Sequence, residues 1–313
     1  MGQTDTTCEF HFRFSKAEIE LLVALLEIPD PMITPQRYNA SAVEALCILL
    51  NRLAWPHRLG TMVLLFGRSR EALSVLSNGV MCHIYDRFKH LLRWDKDRLD
   101  ASWMEKCASA IHDSGAPLDC CIGFIDGTVR GICRPGKGVQ KTAYNGHKRK
   151  HALKFQSITT PDGIIVHLYG PEPGSRHDAY LLERSGILAI LSDVLVTDTK
   201  RYVIYGDPAY GANDVIVCGY KGARLDQYQS AFNSRMSAVR VSVEWGFGIV
   251  RNLWTFVDHA GGQKLWGQAV GMQYVVAVIL TNLHTCIKGG NQVSDYFGLR
   301  PPSAEKYLYA QGR

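Results

Sequence analysis

The sequence predicts a mixed α/β sheet covered by helices and preceded by an all-α region. Three observations carry that reading. Capped, helically spaced apolar stripes fill the first ~115 residues. At Asp119 the texture changes to short apolar runs bounded by turn residues. From about Phe232 the 3.6-residue spacing returns and persists over six turns. A chain of 313 residues, 46% apolar and 20% charged, has the length and composition to bury a core of this kind.

In the first region Ser15 and Glu18 form a capping box (S-x-x-E) ahead of Ile19, Leu22, Leu25 and Leu26. Ser41 and Glu44 repeat it ahead of Ala45, Leu46, Leu49, Leu50 and Leu53. A short helix from about Arg58 to Phe66 stops at Gly67, and Ser69 caps a longer one through Leu73, Leu76, Val80, Ile84 and Phe88. A short helix, a tight turn and a longer helix give residues 41–93 a helix-turn-helix-like outline. The second helix would present Arg70, Ser74, Asn78 and His83 on its polar face. A plain packing pair of helices reads the same way.

Next, Cys120–Ile125 reads as a strand running into an Asp126-Gly127-Thr128 turn. His151–Thr159 and Ile164–Tyr169, joined by Thr160-Pro-Asp-Gly163, read as a hairpin. Ser175 is expected to cap a helix through Tyr180, Leu182 and Leu188, and Tyr202–Tyr205 is a fourth strand ending at Gly206-Asp207. Met236, Val239, Val243, Phe247, Val250 and Trp254 mark a long helix; a last one covers roughly Leu265 to Ile287, with Trp266 and Tyr274 in the core. The division expected is an all-α region at 1–115, an α/β domain at 116–290 and a tail at 291–313.

Several classes are set aside. The apolar stretch at Val275–Leu280 is interrupted by Thr281, Asn282 and His284 before reaching spanning length, so no membrane association is expected. The first residues show neither a basic start nor an apolar core, so no secretory signal is expected. Nine scattered cysteines without a Cys-x-x-Cys pair read as reduced thiols of an intracellular protein. The charge is uneven: residues 1–118 hold 13 Lys and Arg against 14 Asp and Glu, a net −1, so the remainder carries +7 and the whole chain +6. Within residues 51–93, seven cations face only Glu71 and Asp86. Two separate basic regions suit a polyanion such as DNA, or an ordinary solvated surface.

Two predicted strands end in aspartate, where α/β sheets present functional groups. Glu244 follows Val243 on the long helix, with Arg240 one turn back to pair with it or meet a phosphate. If Asp126, Asp207 and Glu244 converge, their repulsion calls for divalent cations, and oxygen ligands suit Mg²⁺ or Mn²⁺. Two such ions ~3.5–4 Å apart activate a water and stabilise a leaving oxygen. Taken singly, each acid also serves a turn or cap.

The phrases Phe-Ile-Asp126-Gly-Thr, Pro173-Gly-Ser-Arg-His177-Asp178, Tyr-Gly-Asp207-Pro-Ala-Tyr210-Gly and Val243-Glu244-Trp-Gly-Phe-Gly stand in that order, with 80 residues between the aspartates and 36 before the glutamate. Together they resemble the DDE endonucleases of the Harbinger (PIF/Harbinger) transposase superfamily over about residues 119–258. The resemblance implies a ribonuclease H-like catalytic domain in 116–290. It makes Asp126, Asp207 and Glu244 the catalytic, metal-binding triad for two Mg²⁺ or Mn²⁺ ions and His177 and Asp178 accessory residues. The implied activity is cleavage of DNA phosphodiesters in the nucleus, by hydrolysis and in transposition by strand transfer, with a separate Myb-like DNA-binding protein as partner and a homo-oligomer left open. The competing reading is a domesticated, catalytically silent DNA-binding descendant.

Arg70, Lys137, Lys141, Lys148, Arg149, Lys150 and Arg240 are the candidate DNA-contacting cations, those at 137–150 interleaved with Tyr144 and Asn145. A solvated edge strand or a nuclear-import patch explains the 137–150 run equally simply. Gly131–Lys137 fits only part of a P-loop, because Gly138 replaces its Ser or Thr and no helix pattern follows. His147 and His151 sit four apart on a predicted strand among cations, a poor zinc site.

Overall fold

A computed structural model describes residues 4–197 and 200–310; the first three residues and the last three of the expected tail lie outside it. The chain opens with α1 (Asp5–Phe12), α2 (Lys16–Leu25), a two-residue ribbon of β1 (Met32–Ile33) and β2 (Asn39–Ala40), then α3 (Ala42–Ala54), α4 (Leu59–Phe66), α5 (Arg70–Phe88) and α6 (Ala101–Asp113). The α/β part follows as β3 (Cys121–Gly131), α7 (Lys137–Ala143), β4 (Tyr144–Asn145), β5 (Lys150–Thr159), β6 (Ile165–Pro173), α8 (Asp178–Ser185), α9 (Ile187–Val194), β7 (Val203–Gly206) and β8 (Ile216–Cys218). It closes with α10 (Gln227–Leu253), α11 (Val270–Lys288), α12 (Gln292–Phe297) and α13 (Ala304–Leu308).

Contacts divide the chain into two units: Met1–Lys89, Gly131–Arg134 and Val250–His284 form one; His90–Arg130, Pro135–Ile249 and Thr285–Arg313 form the other. In the helical unit the capping signals act locally. Ser15 Oγ accepts from Glu18 N (3.3 Å) while Glu18 Oε2 accepts from Ser15 N (2.7 Å), completing the box. At α3 only half of the second box forms. Ser41 Oγ accepts from Glu44 N, but the Glu44 carboxylate turns to Arg68 in a bidentate pair at 2.5 and 2.7 Å. A charge-assisted fork outbids a single backbone N–H. Gly67 ends α4 in the left-handed region (φ 66°) and Ser69 caps α5, as the sequence predicts.

The core of this unit recruits residues distant in sequence. Trp254, fully buried, donates from Nε1 to Thr281 Oγ1 (3.1 Å), and Phe14 packs against Trp254 and His284 at ring distances of 6.4 and 5.3 Å. Arg52 lies over the Phe256 ring at 4.0 Å. By length and hydropathy α11 is long and apolar enough to cross a membrane, yet most of it is buried inside the protein, as a core helix would be. It begins at Val270 rather than near Leu265, which leaves Trp266 outside it and 89% exposed; Tyr274 is buried as expected.

In the α/β unit the central sheet runs β4-β5-β3-β7-β8, with β6 pairing β5. The strands β3, β7 and β8 are parallel neighbours, and β5–β6 is an antiparallel hairpin. Leaving aside the short β4, the spatial order is third, second, first, fourth, fifth, compatible with the ribonuclease H-like fold of DDE enzymes. The α10 stripe of Met236, Val239, Val243 and Phe247 packs with Cys121 and Phe124 of β3 and Val203 and Tyr205 of β7. Phe124 stacks with Phe297 of α12 at 6.1 Å.

Four local expectations are corrected here. Rather than turning at Asp126-Gly127-Thr128, β3 continues in extended form to Gly131. The cap of α8 is His177, without a side-chain bond, and not Ser175; left-handed Gly186 (φ 66°) then splits the expected helix in two. A seven-residue helix, α7, does follow Gly136. His147 falls in a turn and His151 on β5, so the two do not share a strand face.

His167 on β6 is fully desolvated, which pushes its imidazole down to about 4. A pKa lowered from the unfolded value of ~6.5 means that the unfolded chain binds the proton first as pH falls. Stability is therefore complete above about 6.5 and is lost progressively towards 4, by up to ~3 kcal/mol from this group. Urea midpoints between pH 4 and 7 should rise more steeply (or fall less) with pH in the wild type than in His167→Leu, the difference being this group's contribution; equal slopes refute the assignment.

Candidate active site

Backbone register brings the two aspartates together. Ile125 stands opposite Gly206 on neighbouring parallel strands, so the next residue of each is an acid: Asp126 and Asp207. Adjacent strands lie ~4.8 Å apart. Asp126 Oδ1 accepts from Gly127 N at 2.8 Å, and Oδ2 lies 3.5 Å from Arg240 Nη1. Arg240 thus pairs across to β3, not with Glu244 on its own helix as the spacing allowed.

Asp207 caps the 3₁₀ turn Pro208–Tyr210, Oδ1 accepting from Ala209 N (2.7 Å), which leaves Oδ2 without a hydrogen bond among the described residues. Glu244 is exposed on α10 and makes no hydrogen bond among the described residues. Its charge nevertheless reaches Asp126. Burial foremost, then the neighbouring Asp178 and Glu244, push the Asp126 carboxyl up to about 6 against the opposing pull of the Gly127 amide and Arg240.

Asp178, at the start of α8, enters the same field. Lys154 Nζ stands 2.9 Å from Asp178 Oδ1 and donates to Arg176 O at 3.1 Å. Gly127 is what admits this carboxylate: a Cβ there would collide with Asp178 Oδ1, while the glycine's own φ is ordinary. The Asp-Gly-Thr phrase therefore serves close approach within a strand, not a turn. His177 is exposed beside it.

Two participants were missed as site residues. Tyr210 Oη is buried with no hydrogen-bond partner among the described residues; burial, then Asp178, Asp126 and Asp207, hold its hydroxyl well above its ordinary value. Lys154 lay outside the candidate cations, yet it is 8% exposed and faces an acid. The signal for Tyr210 was its place in the Gly-Asp207-Pro-Ala-Tyr phrase.

Three carboxylates and a phenol, all hard oxygen donors with excess negative charge, suit Mg²⁺ or Mn²⁺ in kind. An orphaned buried hydroxyl among acids is the observation that supports this fit. Among the described residues no three His, Cys, Asp or Glu side chains stand grouped as an ion cage. Arg240 and Lys154 occupy the near faces of Asp126 and Asp178 instead.

Of the candidate DNA-contacting cations, Lys137, Lys141, Lys148, Arg149 and Lys150 are all exposed, and none is in an ion pair among the described residues. Arg70 is exposed at the start of α5. The basic stretch 51–93 is less free than its composition suggests: Arg68 is held by Glu44, Arg87 by Glu27 and Lys89 by Asp86. His83 Nε2 is bound to Leu26 O at 2.8 Å and so is not offered outward from α5. All nine cysteines are free.

Asp126, midway along β3, and Asp207, just past the end of β7, lie on neighbouring central parallel strands of a sheet of this order, an arrangement compatible with a nuclease-type α/β fold. Residues 125–282 match the DDE superfamily endonuclease family, half of the chain, and the chain belongs to that family. None of the curated proteins and none of the solved structures matches it.

Proposed function

We propose that this chain is a Harbinger-type DDE transposase or transposase-derived endonuclease that cleaves DNA phosphodiester bonds in the nucleus. The observation that carries the reading is the β3–β7 register, which sets Asp126 beside Asp207 in a field shared with Glu244 and Asp178. Asp126, Asp207 and Glu244 would hold two Mg²⁺ or Mn²⁺ ions. Bound there, such ions supply activation of the attacking water and charge stabilisation of the leaving 3′-oxygen. A 3′-hydroxyl takes the place of water in strand transfer.

The protein's own groups divide the remaining work. Arg240, released from Asp126, turns to a non-bridging phosphate oxygen. Lys154 holds Asp178 in place by its ion pair, and His177 faces solvent beside it. The exposed cations from Lys137 to Lys150 bind the backbone on either side of the scissile bond, and the α4–α5 pair, with Arg70, acts as a helix-turn-helix. A Myb-like protein would supply further sequence recognition.

Supercoiled plasmid should be nicked in Mg²⁺ and not in excess chelator. Glu244→Gln, at an exposed position that costs little stability, should lower nicking by ~10³-fold, since a lost ligand removes several kcal/mol of transition-state stabilisation. Duplex binding should be unchanged. The ion pairs already on Asp126 and Asp178 favour a second reading, a silent DNA-binding descendant; it predicts duplex binding with no nicking in either divalent ion.

A further inference from the structure

Arg98 is a buried cation, ion-paired at long range but with one guanidinium nitrogen lacking a hydrogen-bond acceptor among the described residues. Its side chain is 3% exposed, Asp162 Oδ2 stands 3.7 Å from Nη1, and Nη1 has no hydrogen-bond partner among the described residues. Asp162 is spent elsewhere: Oδ1 accepts from Thr160 Oγ1 (2.6 Å) and Ile164 N (3.2 Å), and Oδ2 from Trp103 Nε1 (3.1 Å). The guanidinium is held near the Trp103 and Tyr307 rings, 5.8 and 5.9 Å from their centroids. A buried charged donor left unbonded is costly, so a guanidinium fixed beside an acid whose oxygens already serve other donors points to a further acceptor.

A cavity of about 230 Å³ opens on this group. Lys106, Arg300 and Lys306 also line it, against Asp100 and Asp162. Both acids are already bound to Trp103, Asp100 through its main-chain N–H (2.8 Å). The N-terminus of α6 contributes its first turn at Ser102 and Trp103, the end of a helix dipole that favours negative charge. The cavity sits at the β5–β6 turn, while the carboxylates gather at Lys154; the strand between Lys154 and Thr159 alone spans ~17 Å. It is a separate place on the same sheet.

We infer that this cavity binds a phosphate-type oxyanion, with Arg98 as its buried anchor and Lys106, Arg300 and Lys306 as its rim. The planar fork of Arg98 matches two oxygens of a tetrahedral anion. The assignment stands whether or not the nuclease reading does. The anion is either a backbone phosphodiester of bound DNA or a free phosphate.

The test is calorimetry and thermal unfolding of the full chain, free of divalent ions, with inorganic phosphate against chloride at equal ionic strength. Saturable single-site binding of phosphate is expected, with a matching rise in Tm. The Lys106→Gln/Lys306→Gln variant leaves the Arg98–Asp162 pair intact and should weaken binding ~5-fold or more. Arg98→Met should abolish it; should that variant fail to fold, the double variant decides. Phosphate that competes with a short duplex, together with weaker duplex binding by the double variant, identifies the DNA backbone; duplex affinity untouched by either identifies a free phosphate. Equal effects of phosphate and chloride, or wild-type phosphate binding by the double variant, overturn the inference.

Discussion

Asp126→Asn should abolish nicking and, in the same molecule, raise its stability. The substitution keeps the shape of the side chain and its bond from Gly127 N, but removes one charge from a crowded field. Loss of that charge weakens the hold on hard dications, and cleavage should fall on the order of 10³-fold or more. The stability gain follows from the carboxyl being raised to about 6. A carboxyl raised on folding binds its proton in the native state first, so stability falls as pH rises from about 4 to 6 and the whole penalty is present above 6. Removing the charge relieves about 1–3 kcal/mol at pH 7.5 and nothing near pH 4. Urea melts at both pH values read this directly. Nicking at wild-type rates, or a variant less stable at pH 7.5, contradicts the placement of Asp126.

Lys154→Met should be the most damaging single change at the site to folding itself. Its ammonium neutralises Asp178 at 2.9 Å while the rest of its side chain is buried in β5. Deprived of that cation, Asp178 is left beside Asp126 in a low-dielectric corner. Breaking a buried pair costs ~3–5 kcal/mol, and with Asp178 26% exposed the expectation drops to ~2–3 kcal/mol. Lys154→Met/Asp178→Asn removes the stranded charge and should recover more than half of the loss. Denaturant midpoints at constant m-value test both steps. A loss below ~0.5 kcal/mol, or no recovery in the double variant, shows that the pair carries no such energy.

Much of the architecture is legible because its signals are local. Ser15, Ser69 and Gly67 act within one turn of themselves, and the Met236–Phe247 stripe needs only its own periodicity. The misreadings occur where a distant group changes the outcome. Arg68, 24 residues on, takes the Glu44 carboxylate away from its cap. Asp-Gly-Thr carries turn chemistry, yet β7 pairs the strand up to Ile125, and Asp178 rather than a positive φ explains Gly127. The three-residue β8 is too short to show a period. Of the candidate site, Asp207 was visible as a strand-end residue, Glu244 as a helix residue and Asp126 at the close of an apolar run that β3 in fact carries on past. The counter-ions Arg240 and Lys154 and the orphan Tyr210 were not, since which cation meets which acid is decided by packing across elements.

The make-up of the helical unit also sets an order of events during synthesis. Its amino-terminal helices leave the ribosome well before Trp254, Phe256 and Thr281, the residues against which Phe14 and Arg52 come to rest. Until about 200 to 240 further residues have been translated, those faces have no mate, a period in which nascent chains are prone to aggregate or to need a holding chaperone. A segment made well before its partners is thus among the last to settle.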